Sequence, residues 1–116
     1  MTVTTVLAVV PARDLAASRT WWTRLWGREP DQVPMPSDVE WHVPGGGGVQ
    51  LVDDGERAGS GSVTLGVDDV DAEVAAIRER GIDAPQAETV PSGQFRVALL
   101  RDPDGNTVVL GQTLGA

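Results

Sequence analysis

The sequence predicts an α+β domain built from two βαβββ modules that form a curved mixed sheet with a cleft, the helices on its outer face. Three observations predict it. The order strand, capped helix, three strands occurs twice along the chain. The two occurrences are offset by about 55 residues, so that residues 7–14 (LAVVPARD) lie over residues 62–69 (SVTLGVDD) without a gap. Each half, about 1–54 and 62–116, is too small to bury a sheet alone, so both halves belong to a single domain over 1–116.

The elements follow in order. Thr2 to Pro11 is rich in Val and Thr and reads as a strand. Asp14 is a fair N-cap and Gly27 a fair C-cap for a helix whose stripe is Leu15, Ser18, Trp22 and Leu25. Short strands are expected over Asp31 to Met35, Asp38 to Val43 and Val49 to Val52, the last two joined by a hairpin through Pro44 and Gly45 to Gly48. Residues 53–61 form a polar, Gly-rich connector. In the second half Val63, Leu65 and Val67 alternate with Ser62, Thr64 and Gly66, as in a half-buried strand. Asp69 caps a helix from Val70 to Arg80 with the stripe Val70, Val74 and Ile77, closed by Gly81. Glu88 to Val90, Phe95 to Leu100 and Thr107 to Leu110 complete the module, with a type I turn at Asp102-Pro103-Asp104-Gly105.

Composition narrows the chemistry. The 116 residues contain no Cys, no Lys and no Tyr, and His42 is the single histidine. Schiff-base and thiolate chemistry are therefore excluded, as are disulfides and Cys-ligated metals. One histidine cannot supply a two-His metal site within one chain. The net charge of −8 and the scattered arginines argue against nucleic acid and favour a cationic small molecule. No apolar stretch approaches a membrane span, and the N-terminus lacks the features of a signal peptide, so a cytoplasmic location is expected.

The repeated βαβββ plan, the aspartate-led start of each helix, the pair Trp21-Trp22 and the run Arg101-Asp-Pro-Asp-Gly-Asn106 before the last strand resemble the vicinal oxygen chelate superfamily. That group includes glyoxalase I, extradiol dioxygenases, methylmalonyl-CoA epimerase, fosfomycin resistance enzymes and bleomycin resistance proteins. The resemblance spans essentially the whole chain. It implies metal ligands at four inward positions, which are Leu7, Gln50, Ser62 and Val109 here. Leu and Val cannot ligate a cation, and neutral Gln and Ser are poor ligands for a transition metal. The resemblance is therefore to the metal-free, bleomycin-resistance-like branch, and it implies no metal, no cofactor and a homodimer that binds an antibiotic-like aromatic or cationic molecule.

On that plan the cleft floor is expected to hold Leu7, Val9, Gln50, Val52, Ser62, Thr64, Arg96, Ala98 and Val109. Trp is over-represented among the aromatic residues, and Trp41, with Trp22, is expected to stack on the ligand. Register decides the first case. If Val43 pairs with Gly48, Trp41 shares the face of Gln50; a slip by one puts Glu40 and His42 there instead. Pairing Arg101 with Asn106 turns Arg96 into the cleft, where it would hold a carboxylate or phenolate; a salt bridge to Glu88 or an aspartate is the other reading. The function expected is sequestration of an apolar or aromatic compound, an antibiotic being the class favoured. The alternatives are a metal-independent isomerase, cyclase or hydrolase using His42 or a carboxylate, and a glyoxalase-like lyase with unusual ligands such as His42 and Glu40.

Overall fold

The computed structural model describes residues 1–115. It contains β1 (Val6–Ala12), α1 (Leu15–Trp26), β2 (Gln32–Met35), β3 (Asp38–Val43), β4 (Gly47–Asp53), β5 (Ser62–Gly66), α2 (Val70–Glu79), β6 (Glu88–Thr89), β7 (Phe95–Arg101) and β8 (Thr107–Thr113). The two halves fold alike. Strand pairing is confined within each module, giving one four-stranded sheet of order β1-β4-β3-β2 and another of order β5-β8-β7-β6. In each sheet the first strand runs parallel to the fourth and the rest pair antiparallel. The two sheets approach along their edge strands β1 and β5.

Both helices begin where a short carboxylate can satisfy a free amide. Asp14 accepts from the Ala17 amide at 3.2 Å and Asp69 from the Ala72 amide at 3.1 Å. α1 ends at Gly27, whose φ of 72° is left-handed. Ser18, Trp22 and Leu25 of α1 and Val70, Val74 and Ile77 of α2 are buried, as their helical spacing requires. Strand limits moved where pairing partners ended. β1 starts at Val6 rather than Thr2 because its partner β4 starts opposite it, at Gly47. β8 continues to Thr113 because Phe95 pairs there.

Polar side chains fasten the modules together. Asn106 is fully buried; its Nδ2 donates to the Pro11 carbonyl at 2.8 Å and its Oδ1 accepts from Gly59 and Gly61 at 3.0 and 2.8 Å. Asp104 accepts from the Arg13 amide and from the Ser18 hydroxyl, while Asp102 takes the indole N–H of Trp22 at 3.1 Å. Arg80, just past α2, donates to the carbonyls of Arg24 and Leu25 at the end of α1. Among the described residues, no helix is long and apolar enough to cross a membrane.

Candidate functional site: the open sheet face

Each sheet turns one face to its helix and leaves the other open. In the first module Val9, Gln50 and Glu40 form one row across β1, β4 and β3. Leu7, Gly48 and His42 form the next row, and Pro11, Val52 and Asp38 the one beyond. In the second module Ser62 pairs with Thr107 and Thr64 with Val109, which pairs in turn with Leu99. Of the residues expected on the floor, Leu7, Val9, Gln50, Val52, Ser62, Thr64 and Val109 thus share the faces turned away from the helices.

Trp41, Trp22, Ala98 and Arg96 do not. β3 pairs with β4 one residue out of the expected register, Val43 lying opposite Gly47. The loop then contains only Pro44, Gly45 and Gly46, and the two glycines take left-handed φ values of 96° and 95°. This register buries Trp41 completely under α1. Its ring stacks on Trp26 at 6.2 Å and lies 6.4 Å from Trp22, and its N–H donates to the Arg28 carbonyl at 3.0 Å. Trp22 is equally buried, so both expected stacking residues are core.

The second hairpin also slips by one residue, in the opposite sense, its loop lengthening where the first shortens. Arg101 pairs with Thr107, because Asp102 Oδ1 accepts from the amides of Asp104 and Asn106 and holds Asp102 to Asn106 as the loop. Ala98 and Leu100 join Val108 and Leu110 in the core. Phe95, Val97 and Leu99 take the open face instead. Arg96 points to the helix side, where its Nε and Nη2 each donate to Asp71 at 2.8 Å. That fork holds the Asp71 carboxyl below its usual range and raises the Arg96 guanidinium. The ion-pair reading of Arg96 is thus the one realised, with the aspartate Asp71 rather than Glu88 as its partner.

The slip brings Asp38, Glu40 and His42 onto the open face beside Gln50. Asp38 and Glu40 are buried, at 6% and 7% exposure. Gln50 Nε2 donates to Asp38 Oδ2 at 2.9 Å and to Glu40 Oε2 at 2.8 Å. Glu40 Oε1 lies 2.9 Å from His42 Nε2. Burial, then the charge of Glu40, pushes the Asp38 carboxyl up. The hydrogen bond from His42 holds Glu40 down. Asp38 was not among the expected site residues. Its signal was available in the alternation Asp38, Glu40, His42, three polar groups on one side of a strand.

The four positions where metal-dependent relatives carry ligands lie on these open faces, and their donor set does not fit a metal. Leu7 and Val109 offer no donor, and Gln50 is engaged by two carboxylates. Among the described residues, no group of three or more His, Cys, Asp or Glu side chains is placed to hold a metal ion.

A cavity of about 710 Å³ lies elsewhere, on the helix side of the seam. Val6, Ala8, Leu25, Trp26, Leu65 and Ile77 are among its walls, and Thr64 is the one expected floor residue that reaches it. The single chain therefore leaves its floor residues on open faces rather than in a closed cleft. Val9 is 55% and Leu99 48% exposed.

Comparisons with known proteins agree with this architecture. A crystal structure described as a glyoxalase/bleomycin resistance protein from Catenulispora acidiphila is 32% identical, with a TM-score of 0.86 over 94% of this chain and 97% of that one. TnmS3, described as an antibiotic-binding protein from a Streptomyces species, is 28% identical, with a TM-score of 0.77 over 94% of each chain. A bleomycin-binding protein solved with bleomycin is 19% identical, with a TM-score of 0.77 over 94% of this chain and 98% of that one, a likeness of fold. No curated protein matches the chain. The family described as glyoxalase-like domain matches residues 6–110, and the chain, with its paired βαβββ modules, belongs to that family within the vicinal oxygen chelate superfamily.

Proposed function

We propose that this protein binds and sequesters an apolar, partly aromatic small molecule without a metal or cofactor, an antibiotic being the favoured class. The observation that carries the reading is the open sheet face. Val9 stands roughly half-exposed beside the hydrogen-bonded Gln50 of the first sheet, and Leu99 and Phe95 stand roughly half-exposed on the second. Apolar side chains around a few fixed polar groups are the usual make-up of a ligand site. The 28% identical Streptomyces neighbour, described as antibiotic-binding, supports the class of ligand.

One chain supplies only one wall. A second copy laid against the open faces would close a pocket and cover Val9 and Leu99, so we propose a homodimer acting in the cytoplasm. Binding to a sheet face of this kind requires no turnover, and the positions where the resemblance implies metal ligands hold Leu7 and Val109, which cannot ligate, and Gln50 and Ser62, which are poor ligands.

Calorimetric titration of chelator-treated protein with bleomycin and a panel of polycyclic aromatic antibiotics tests the reading. Saturable binding at roughly micromolar Kd is expected for at least one compound. Val9→Asp and Leu99→Asp should each weaken it about ten-fold while each variant stays folded, as backbone amide dispersion reports. Absence of binding by every compound, or binding unaffected by both substitutions, would remove the support for this site.

A further inference from the structure

The polar group on β3 and β4 has a composition that nothing in the fold requires. Two carboxylates at 6% and 7% exposure share one neutral amide, the Nε2 of Gln50. Among the described residues neither is paired with an arginine. Arg28, which donates to the His42 carbonyl, is itself paired with Asp31 at 2.6 Å and lies over the ring of Trp26. His42, 38% exposed at its side chain, is the one cation-forming group in contact with the cluster.

A second observation is independent of the clustering. Asp38 Oδ1 is buried and has no hydrogen-bond partner, although Oδ2 of the same carboxyl is held by Gln50. A buried acceptor without a donor is destabilising, and a group supplying N–H donors at this point would relieve it. Three features of the site define that group. It meets two closely placed acceptor groups, so it carries more than one N–H. It enters a field of negative charge, so it is cationic. Its neighbours are Val9 in the row of Glu40 and Gln50, Leu7 in the row of His42 and Val52 in the row of Asp38, so it is attached to an apolar body.

We propose that Asp38, Glu40 and Gln50, with His42 at the rim, form a subsite for a protonated amine, amidine or guanidinium borne by the bound molecule. The proposal rests on the ligand-binding reading above and adds the charge and donor pattern of the ligand. Charge-assisted N–H···O bonds to Asp38 and Glu40 would fix orientation, while Val9 and Val52 receive the apolar part. The upward displacement of the Asp38 carboxyl by burial and by Glu40 has the sign expected of a site lacking its positive partner.

The test uses two probes of equal size, 2-naphthylmethylamine and 2-naphthylmethanol, titrated at pH 7 into ¹⁵N-labelled full-length protein. The Gln50 side-chain amide and the His42 ring are followed by NMR. The amine should bind about ten-fold more tightly than the alcohol and shift both reporters. Asp38→Asn and Glu40→Gln should each bring the two probes closer together, and the double variant should make their affinities equal. Backbone amide dispersion reports that each variant remains folded. Equal affinity of both probes for the parent protein, or an amine preference that survives the double variant, would overturn the subsite and leave the ligand-binding reading standing. Failure of both probes to shift residues on this face would overturn the subsite and that reading together.

Discussion

Asn106 is fully buried, and its amide bonds to Pro11 of the first module, to Gly59 and Gly61 of the connector and to Asp102 of its own loop. Asn106→Ala would leave those backbone groups buried without partners. A loss of about 3 kcal/mol is expected, measured by urea unfolding; a loss under about 1 kcal/mol would mean that water replaces the amide. Asp38 makes a prediction of opposite sign. A carboxyl raised in the folded state favours folding while protonated, and that contribution is lost as pH rises through its folded value. Asp38→Asn should therefore stabilise the protein at pH 7 relative to the parent, with the gain shrinking as pH falls to 4. Glu40, held low by His42, contributes with the other sign: its stabilisation is present at neutral pH and lost as pH falls through its folded value. Melting temperatures of the Asp38→Asn, Glu40→Gln and parent proteins across that range separate the two.

At the level of elements, the helices and their ends were legible in the sequence because their signals are local. Asp14 and Asp69 cap as their positions imply, and the stripes Ser18, Trp22, Leu25 and Val70, Val74, Ile77 are the buried ones. Strand register was not legible to the last residue. Val97 and Leu99 are as apolar as Ala98 and Leu100, so alternation alone does not say which pair faces α2. The choice is made in the loops, by left-handed Gly45 and Gly46 in one hairpin and by the Asp102 carboxylate in the other. Those two single-residue slips explain why Trp41, Arg96 and Ala98 of β3 and β7 moved to the helix side, whereas the expected floor residues of β1, β4, β5 and β8 kept the open faces. The first slip also makes Trp41 a core residue, whose replacement by Ala should cost about 4 kcal/mol in urea unfolding. A Trp41→Ala protein of unchanged stability would contradict the register. Arg80 is the corresponding test between helices: Arg80→Ala frees the last carbonyls of α1 and should cost about 2 kcal/mol.

At the scale of the whole molecule, the proposed function makes one chain one half of a binding device. Two similar sheets, joined at the edges of β1 and β5, present open faces that carry exposed Val9 and Leu99 together with the buried carboxylates Asp38 and Glu40. The absence of Lys and Cys, which first restricts the available chemistry, extends at the site to positions where Leu7 and Val109 stand in place of metal ligands. A homodimer of twice the 12.2 kDa chain mass is expected in sedimentation equilibrium, and Val9→Asp should weaken it if the second copy covers this face. The central claim, a metal-independent ligand site on the open sheet face, is tested most directly by methyl NMR of chelator-treated protein titrated with the antibiotic panel. The account predicts saturable shifts of the Leu7, Val9, Val52, Leu99 and Val109 methyl groups, unchanged by added zinc. Shifts confined to the helix-side cavity around Leu25, Leu65 and Ile77, or shifts that appear only with metal, would contradict it.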